Sequence, residues 1–459
     1  MTGGLRRDLG TLESYAALIG ILIGAGIFKV TGEAWTLTGP SVILGYAVLS
    51  PAILATSVAY VVFLSTPLGR EPGGEYTHIS RTFGGFGVAF VGAWLKIISY
   101  VGALAYLAVA FAEYVTQLSR GALQAEQRGL LAVASLLFFY AVHAVGVRWF
   151  GRIQVAMCAL LGLSIAVLVL PGLPAIRFSN YRPFFTHGAA GFAAALPPLF
   201  FAYAGFESLA QAAGEVRDST RKLPGIFVKG IAATTVVYFL MSAVALGTLP
   251  GQRLAASAAP MAEAASVYLP AGAAWFVTLG AVMALTTSLN STMLVPSRLA
   301  VMLASDGLAP ARLGAVSHRT GTPVLALTLT LAASVLLVVT GQISLALNIA
   351  VFALVVLYFL HSFTLLALPR RNPALFASVT ARVPLRLQRA SAVFSMAAMG
   401  VLIALQLEAD FATLSRFSLA QRISEGRVTT IELCAAWGLV GACLYALRRL
   451  GRAAAGADR

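Results

Sequence analysis

The sequence predicts an all-α polytopic membrane protein with twelve transmembrane helices and both termini in the cytoplasm. Three observations carry this. Of 459 residues, 59% are hydrophobic and 11% charged, and mean hydropathy is +0.85; soluble domains hold about 25% charged residues. Apolar stretches of about 20 residues, enough to cross a ~30 Å hydrocarbon core, recur from end to end. The 32 Lys and Arg outnumber the 17 Asp and Glu. They gather in the segments that lie on the N-terminal side of the alternating spans, as the positive-inside rule asks of cytoplasmic segments. The net charge of +15 therefore reports topology, and nucleic acid is not expected as a partner.

The spans fall at about 13–36, 40–66, 85–118, 128–147, 152–172, 189–213, 224–248, 271–303, 322–341, 344–368, 388–407 and 428–447. The connections leave no room for a soluble domain. Asp8 and Glu13 interrupt the approach to the first span. No small-residue cleavage site follows a short apolar core, so the first helix reads as retained, not as a signal peptide. Cys158, Cys434 and Cys443 fall within spans, without a CxxC pair, and read as small buried hydrophobes. His78, His143, His187, His318 and His361 show no metal-ligand spacing and are expected mostly near loops. No metal site or cofactor is expected beyond a coupling cation.

The first span contains "GILIGAGIFKV", with Gly20, Gly24 and Gly26 at its centre. Each glycine costs a helix interior about 1 kcal/mol relative to alanine. Irregular backbone at membrane depth is tolerated where it lines a polar cavity or is buried in protein. Half-helix N-termini there offer N–H groups to an anion, and unwound carbonyls face a cation. The stretch predicts a helix break near Ile23–Gly26, with Ile27 starting the second half. Close helix packing through the Gly20–Gly24 GxxxG pair is the alternative. A second stretch, "FFAYAGFESLAQAAGEVRDSTRKLPG", places Gly205 and Glu207 mid-span between aromatics. Paired breaks point to a site between inverted repeats: residues 1–180 (spans 1–5) and 181–370 (spans 6–10), with 371–459 carrying spans 11 and 12 and the tail.

Four stretches carry a resemblance: "GILIGAGIF", "EPGGEYTHISRTFG", "FAYAGFESLAQAAGEVRDSTRKLP" and "SRLAVMLASDGLAPARLGAVSHRTGTP". In order and position, over residues 11–368, they resemble the amino acid–polyamine–organocation family, the common amino acid permeases. The resemblance implies the five-plus-five inverted-repeat fold shared with sodium-coupled leucine transporters, and alternating access.

By that pattern, N–H groups at Ala25, Gly26 and Ile27 would take a substrate carboxylate. Carbonyls at Leu22 and Ile23, and at Phe201, Ala202 and Ala204, would take its ammonium. A side chain larger than alanine at 25 or 26 should crowd the site. Phe201 and Tyr203 are placed to close over the ligand, and the family uses an aromatic near Phe201 as a gate. Ser99, Ala103 and Tyr106 share a helix face by 3–4 spacing; Asn290, Ser291 and Thr292 lie at matching depth. Arginine-type relatives carry an aromatic where Thr292 falls, and no second mid-membrane acid besides Glu207 is evident near the set. A neutral amino acid is the expected substrate.

Coupling is expected to use a cation, sodium favoured over proton. Proton-coupled relatives place a lysine in helix 5, and the corresponding region here is Leu161–Gly162. The spacing Ala284-x-x-Thr287-Ser288 matches the sodium-holding pattern of leucine-type transporters, with Gly20 and Ile23 as helix-1 carbonyls. Glu207 and Lys96 are the proton or gating candidates, since an ionisable residue at membrane depth is functional by default. Lys96 either snorkels to the headgroups or acts as an internal cation. Lys29 either snorkels or pairs with Glu33 at i+4.

An enzyme would need a nucleophile–base or metal set at depth, and none is spaced for it. A polyamine or cationic amino acid carrier would need further pocket acids or an aromatic cage. A non-transporting amino acid receptor could keep the same site. Beyond the amino acid and the lipid bilayer, the expected partner is at most a second copy, in a monomer or homodimer at the plasma membrane.

Overall fold

The computed structural model describes residues 5–24, 26–119, 124–257, 259–341, 343–425 and 427–457. Apart from an isolated bridge between Leu9 and Val216, the regular elements among them are helices. In the first part these are α1 (Thr11–Leu22), α2 (Thr31–Thr38), α3 (Val42–Leu64), α4 (Glu75–Phe83), α5 (Gly87–Leu118), α6 (Ala125–Val145) and α7 (Val147–Gly172). There follow α8 (Gly188–Phe201), α9 (Ser208–Gln211), α10 (Ser219–Thr248), α11 (Gly251–Ala256), α12 (Pro260–Ser266), α13 (Ala271–Ser305), α14 (Val324–Thr340) and α15 (Ile343–Arg371). The last are α16 (Pro373–Ala377), α17 (Leu385–Arg416), α18 (Leu419–Ser424) and α19 (Thr430–Ala457).

Nine helical runs among the described residues are long and apolar enough to cross a bilayer, and α8 and α14 are shorter apolar helices. Two predicted spans merge in the Thr11–Leu64 run, which the chain interrupts after Leu22 and again at the turn Gly39–Ser41. α8 is short because the chain leaves the helix after Phe201. The predicted loop motif "EPGGEYTHISRTFG" contains α4, whose residues Glu75–Ser80 are all buried.

Burial separates inner from outer helices. Two thirds of the apolar window is buried in α5 and α15, against 22% in α17 and 11% in α19. Leu163, Leu170, Leu336 and Val339 are more than half exposed. Such apolar surface is costly in water and suits contact with lipid. The first broken segment packs through α1 against α7, α13 and α10, and the second through α8 against α2, α3 and α15.

Candidate substrate site

The two breaks meet at the molecular centre. α1 ends at Leu22; Ile23 leaves helical geometry (φ −80°, ψ 72°), and the Gly24 N–H donates to Leu22 O at 2.8 Å. The chain resumes as a π-turn over Gly26–Val30. In the second segment, Pro197 and Pro198 remove two N–H donors from the last turns of α8. The turn after Phe201 passes through Gly205 at φ +102°, a region that favours glycine, before α9 begins. A Cβ added to Gly26 would lie 2.3 Å from Ala202 Cα. The breaks touch backbone to backbone, so position 26 excludes even alanine, a tighter limit than the sequence suggested.

A cavity of about 40 Å³ adjoins this contact. Of the predicted substrate set, Leu22, Gly26, Ser99, Ala103, Phe201, Ala204 and Thr292 line it. Ile23, Ile27, Ala202 and Tyr203 do not, and Ala25 lies outside the described residues. Sequence reasoning missed Tyr100 and Leu107 on α5 and Ala350 and Leu354 on α15. An apolar pocket wall carries no motif. No charged side chain lines the cavity among the described residues. Phe201 closes one side, edge-on to Tyr106 at 5.5 Å between ring centroids. Ser99 Oγ donates to Ala350 O at 2.9 Å.

Two expected ammonium ligands are otherwise engaged. The Tyr238 hydroxyl from α10 lies within bonding reach of both Leu22 O and Ala202 O, the latter at 2.5 Å. With the Gly24 N–H, this gives the Leu22 oxygen two donors for its two lone pairs. Tyr203 turns from the cavity to pack on Tyr238, and its hydroxyl donates to Tyr46 O at 3.0 Å. The expectation for Tyr203 as a lid is corrected: the preceding turn points its ring toward α3 and α10.

Beside the cavity lies a buried charge cluster. Lys96 Nζ sits 2.7 Å from Glu75 Oε2 and 3.9 Å from Glu207 Oε1. Lys96 is therefore internal and does not snorkel. Glu207 also accepts from Tyr100 Oη at 2.6 Å, from the Gly205 N–H at 3.1 Å and from the Tyr358 hydroxyl. Glu75, which the sequence reading did not single out, accepts from Gln211 Nε2 at 2.8 Å and from the Tyr60 hydroxyl. Because Tyr100 and Gly205 also line the cavity, the cluster and the cavity share a wall.

Lys29 pairs with Glu113 at 2.7 Å and lies 5.8 Å from the centroid of the Tyr106 ring. The i+4 pair with Glu33, one of the two alternatives for Lys29, does not form. His78, His143 and His361 are buried, and of the three only His143 is in the last turn of a long helix, α6. His78 Nδ1 meets His361 Nε2 at 2.9 Å, and His143 Nε2 meets Asn290 O at 2.8 Å, so helix packing uses these rings.

At the candidate cation site, Thr287 Oγ1 lies 2.8 Å from both Gly20 O and Ala284 O. Ser288 Oγ lies 3.2 Å from Gly20 O and from Ile21 O, reaching Ile21 in place of Ile23. The α7 side chains facing this seam are Gln154, whose Nε2 donates to Ala16 O (3.1 Å) and Thr287 O (3.2 Å), and Cys158. Leu161 and Gly162 lie one turn further on; Leu161 is buried, and the side of Gly162 faces open space.

The quoted loop motifs meet one another. Arg81 forms a fork with both Asp306 oxygens at 3.0 Å, and that carboxylate raises the pKa of the guanidinium further. Arg298 forks onto Glu215 at 2.9 and 3.1 Å, both residues fully buried. Bidentate geometry adds direction as well as energy, so these pairs tie α4 and the turn Ala213–Glu215 to the C-terminal part of α13 and its cap.

The family model described as amino acid permease matches residues 9–412. The chain belongs to that family, and it is a transporter and not an enzyme. It is 26% identical over 342 residues to a branched-chain amino acid permease of Bacillus subtilis, covering 70% of this chain and 72% of that one. It is 26% identical over 335 residues to a methylthioribose transporter of the same organism, with the same coverage of each. With cationic amino acid transporter 1 of Arabidopsis thaliana it shares 28% over 333 residues, 70% of this chain and 55% of that protein.

Proposed function

We propose that this permease carries a neutral, aliphatic amino acid across the plasma membrane by alternating access, coupled to a cation. The observation that carries the reading is a cavity bounded by both helix breaks, with no charged lining side chain among the described residues. Backbone N–H groups at the start of the Gly26–Val30 turn suit a carboxylate. Ala103, Leu107, Ala350 and Leu354 suit an aliphatic side chain. A cationic side chain or a polyamine would enter this space without a counter-charge. The similarity to a branched-chain amino acid permease agrees with this choice. In the proposed topology the chain crosses twelve times as a five-plus-five inverted repeat, both termini inside.

For the coupling ion the first reading is sodium, between the hydroxyls of Thr287 and Ser288 and the carbonyls of Gly20 and Ala284. A second reading rests on the charge cluster. Two carboxylates and one ammonium, all sealed from solvent, carry an uncompensated negative charge unless a proton joins them. The test is thermal stabilisation of the purified protein by each of the twenty amino acids, in sodium and in choline. A shift for valine, leucine or isoleucine supports the substrate reading. A shift only for lysine or arginine sinks it, and equal shifts in both salts move the coupling to the proton.

A further inference from the structure

The chain before α17 and the first turns of α17 carry a cationic tier that neither the cavity nor the charge cluster uses. Arg382, Arg386 and Arg389 are exposed. No ion pair joins any of them among the described residues. The sequence offers no nearby acid, since neither Asp nor Glu occurs between Asp306 and Glu408. Thr380 Oγ1 donates to Ser65 O at 2.7 Å, and the Ala381 N–H to Ser65 Oγ at 3.1 Å. These bonds fasten the tier to the end of α3.

Directly along α17 from this tier, a groove of about 400 Å³ opens between α3 and α17. Leu54 and Val58 form one wall; Ala390 and Phe394 form the other. Arg386, Ala390 and Phe394 are spaced four apart and so lie in one stripe. Arg386 stands one turn before Ala390 on that stripe. α3 and α17 both belong to runs able to cross a bilayer, so the groove opens toward hydrocarbon. A ligand must be anionic at one end and apolar at the other, and must reach the site from within the membrane.

We propose that this is a binding site for an anionic phospholipid, its phosphate held by Arg382, Arg386 and Arg389 and an acyl chain in the α3–α17 groove. A zwitterionic lipid brings its own cation to the tier and gains less. The expectation does not depend on which amino acid, if any, the central cavity takes.

The delipidated protein in neutral detergent is titrated with phosphatidylglycerol, with phosphatidylcholine and with inorganic phosphate, and the melting temperature is read. Phosphatidylglycerol should raise it saturably; phosphatidylcholine and phosphate should not. R382Q/R386Q/R389Q should need about a hundredfold more phosphatidylglycerol, the combined loss for three arginines at a charged surface. Ala390→Trp fills the groove, keeps the arginines and should weaken the lipid similarly. R312Q/R319Q, which removes two exposed arginines elsewhere, should leave the titration unchanged. Equal shifts with both lipids, a shift from phosphate alone, or full retention in Ala390→Trp each overturn the site. So does a loss in R312Q/R319Q as large as in the triple variant. A dimer in light scattering that Ala390→Trp disperses assigns the groove to a second copy instead. If the triple variant does not fold, Ala390→Trp decides.

Discussion

Lys96 on α5 and Glu75 on α4 form an ion pair of 2.7 Å with side chains 2% and 0% exposed. A buried pair gives little net stability against an apolar replacement, yet breaking one half leaves an uncompensated charge, at about 3–5 kcal/mol. Here Lys96 faces two carboxylates, so its loss leaves both without a cation. Lys96→Met is expected to lower stability by about that amount. Adding Glu75→Gln should restore a large part of it. Denaturant unfolding of the single and double variants measures the coupling; additive losses would mean that the pair does not act as one unit.

Gly26 and Ala202 give a sharper expectation, because the obstacle is backbone. A Cβ at position 26 cannot be relieved by a rotamer change, since Ala202 Cα, Cβ and N all lie within about 3 Å of it. Overpacking typically costs about 1–3 kcal/mol, and the displaced atoms border the cavity. Gly26→Ala should abolish amino acid uptake while the protein still reaches the membrane. Uptake in vesicles, normalised to protein amount, decides; wild-type uptake would mean that the breaks are not packed this closely.

Tyr238 ties the breaks to α10 with one hydroxyl proton shared between Leu22 O and Ala202 O. Tyr238→Phe keeps the ring packed on Tyr46 and Tyr203 but leaves buried carbonyls a donor short, at about 1–3 kcal/mol. The expected result is a lower melting temperature and weaker substrate binding together. An unchanged melting temperature would show that the carbonyls find other donors.

The sequence made the breaks legible because glycine at membrane depth is expensive and has few explanations. The quoted motifs were also legible as motifs, and the structure supplies their physics: Arg81 meets Asp306 and Glu215 meets Arg298. What stayed hidden is tertiary. Tyr238, Ala350 and Leu354 sit in ordinary apolar helices, and only packing turns them inward. Lys96 could face headgroups or core from its position along the helix; Glu75, in what reads as a loop, settles the matter by meeting it. Spacing within a span does not fix the rotation of a helix against its neighbours, so it did not single out Gln154 and Cys158 of α7, which reach Ala16 O.

Thr287 separates the two coupling readings. Its hydroxyl bonds Gly20 O and Ala284 O, both at 2.8 Å. Hydroxyls in membrane helices commonly bond their own helix carbonyls, but the Gly20 contact crosses to the first break. Thr287→Val removes the oxygen and keeps the shape. If sodium binds there, the variant should lose the sodium-dependent part of the amino acid's thermal shift, with apparent sodium affinity falling about tenfold or more for one lost oxygen ligand at roughly 1.4 kcal/mol. Stability in choline should change little by comparison. If the hydroxyl serves only to join the helices, the melting temperature should fall equally in sodium and in choline, by an amount consistent with about 1 kcal/mol for a lost hydrogen bond. That second outcome removes the sodium site and directs the search to the proton on Glu207 and its partners Lys96 and Glu75.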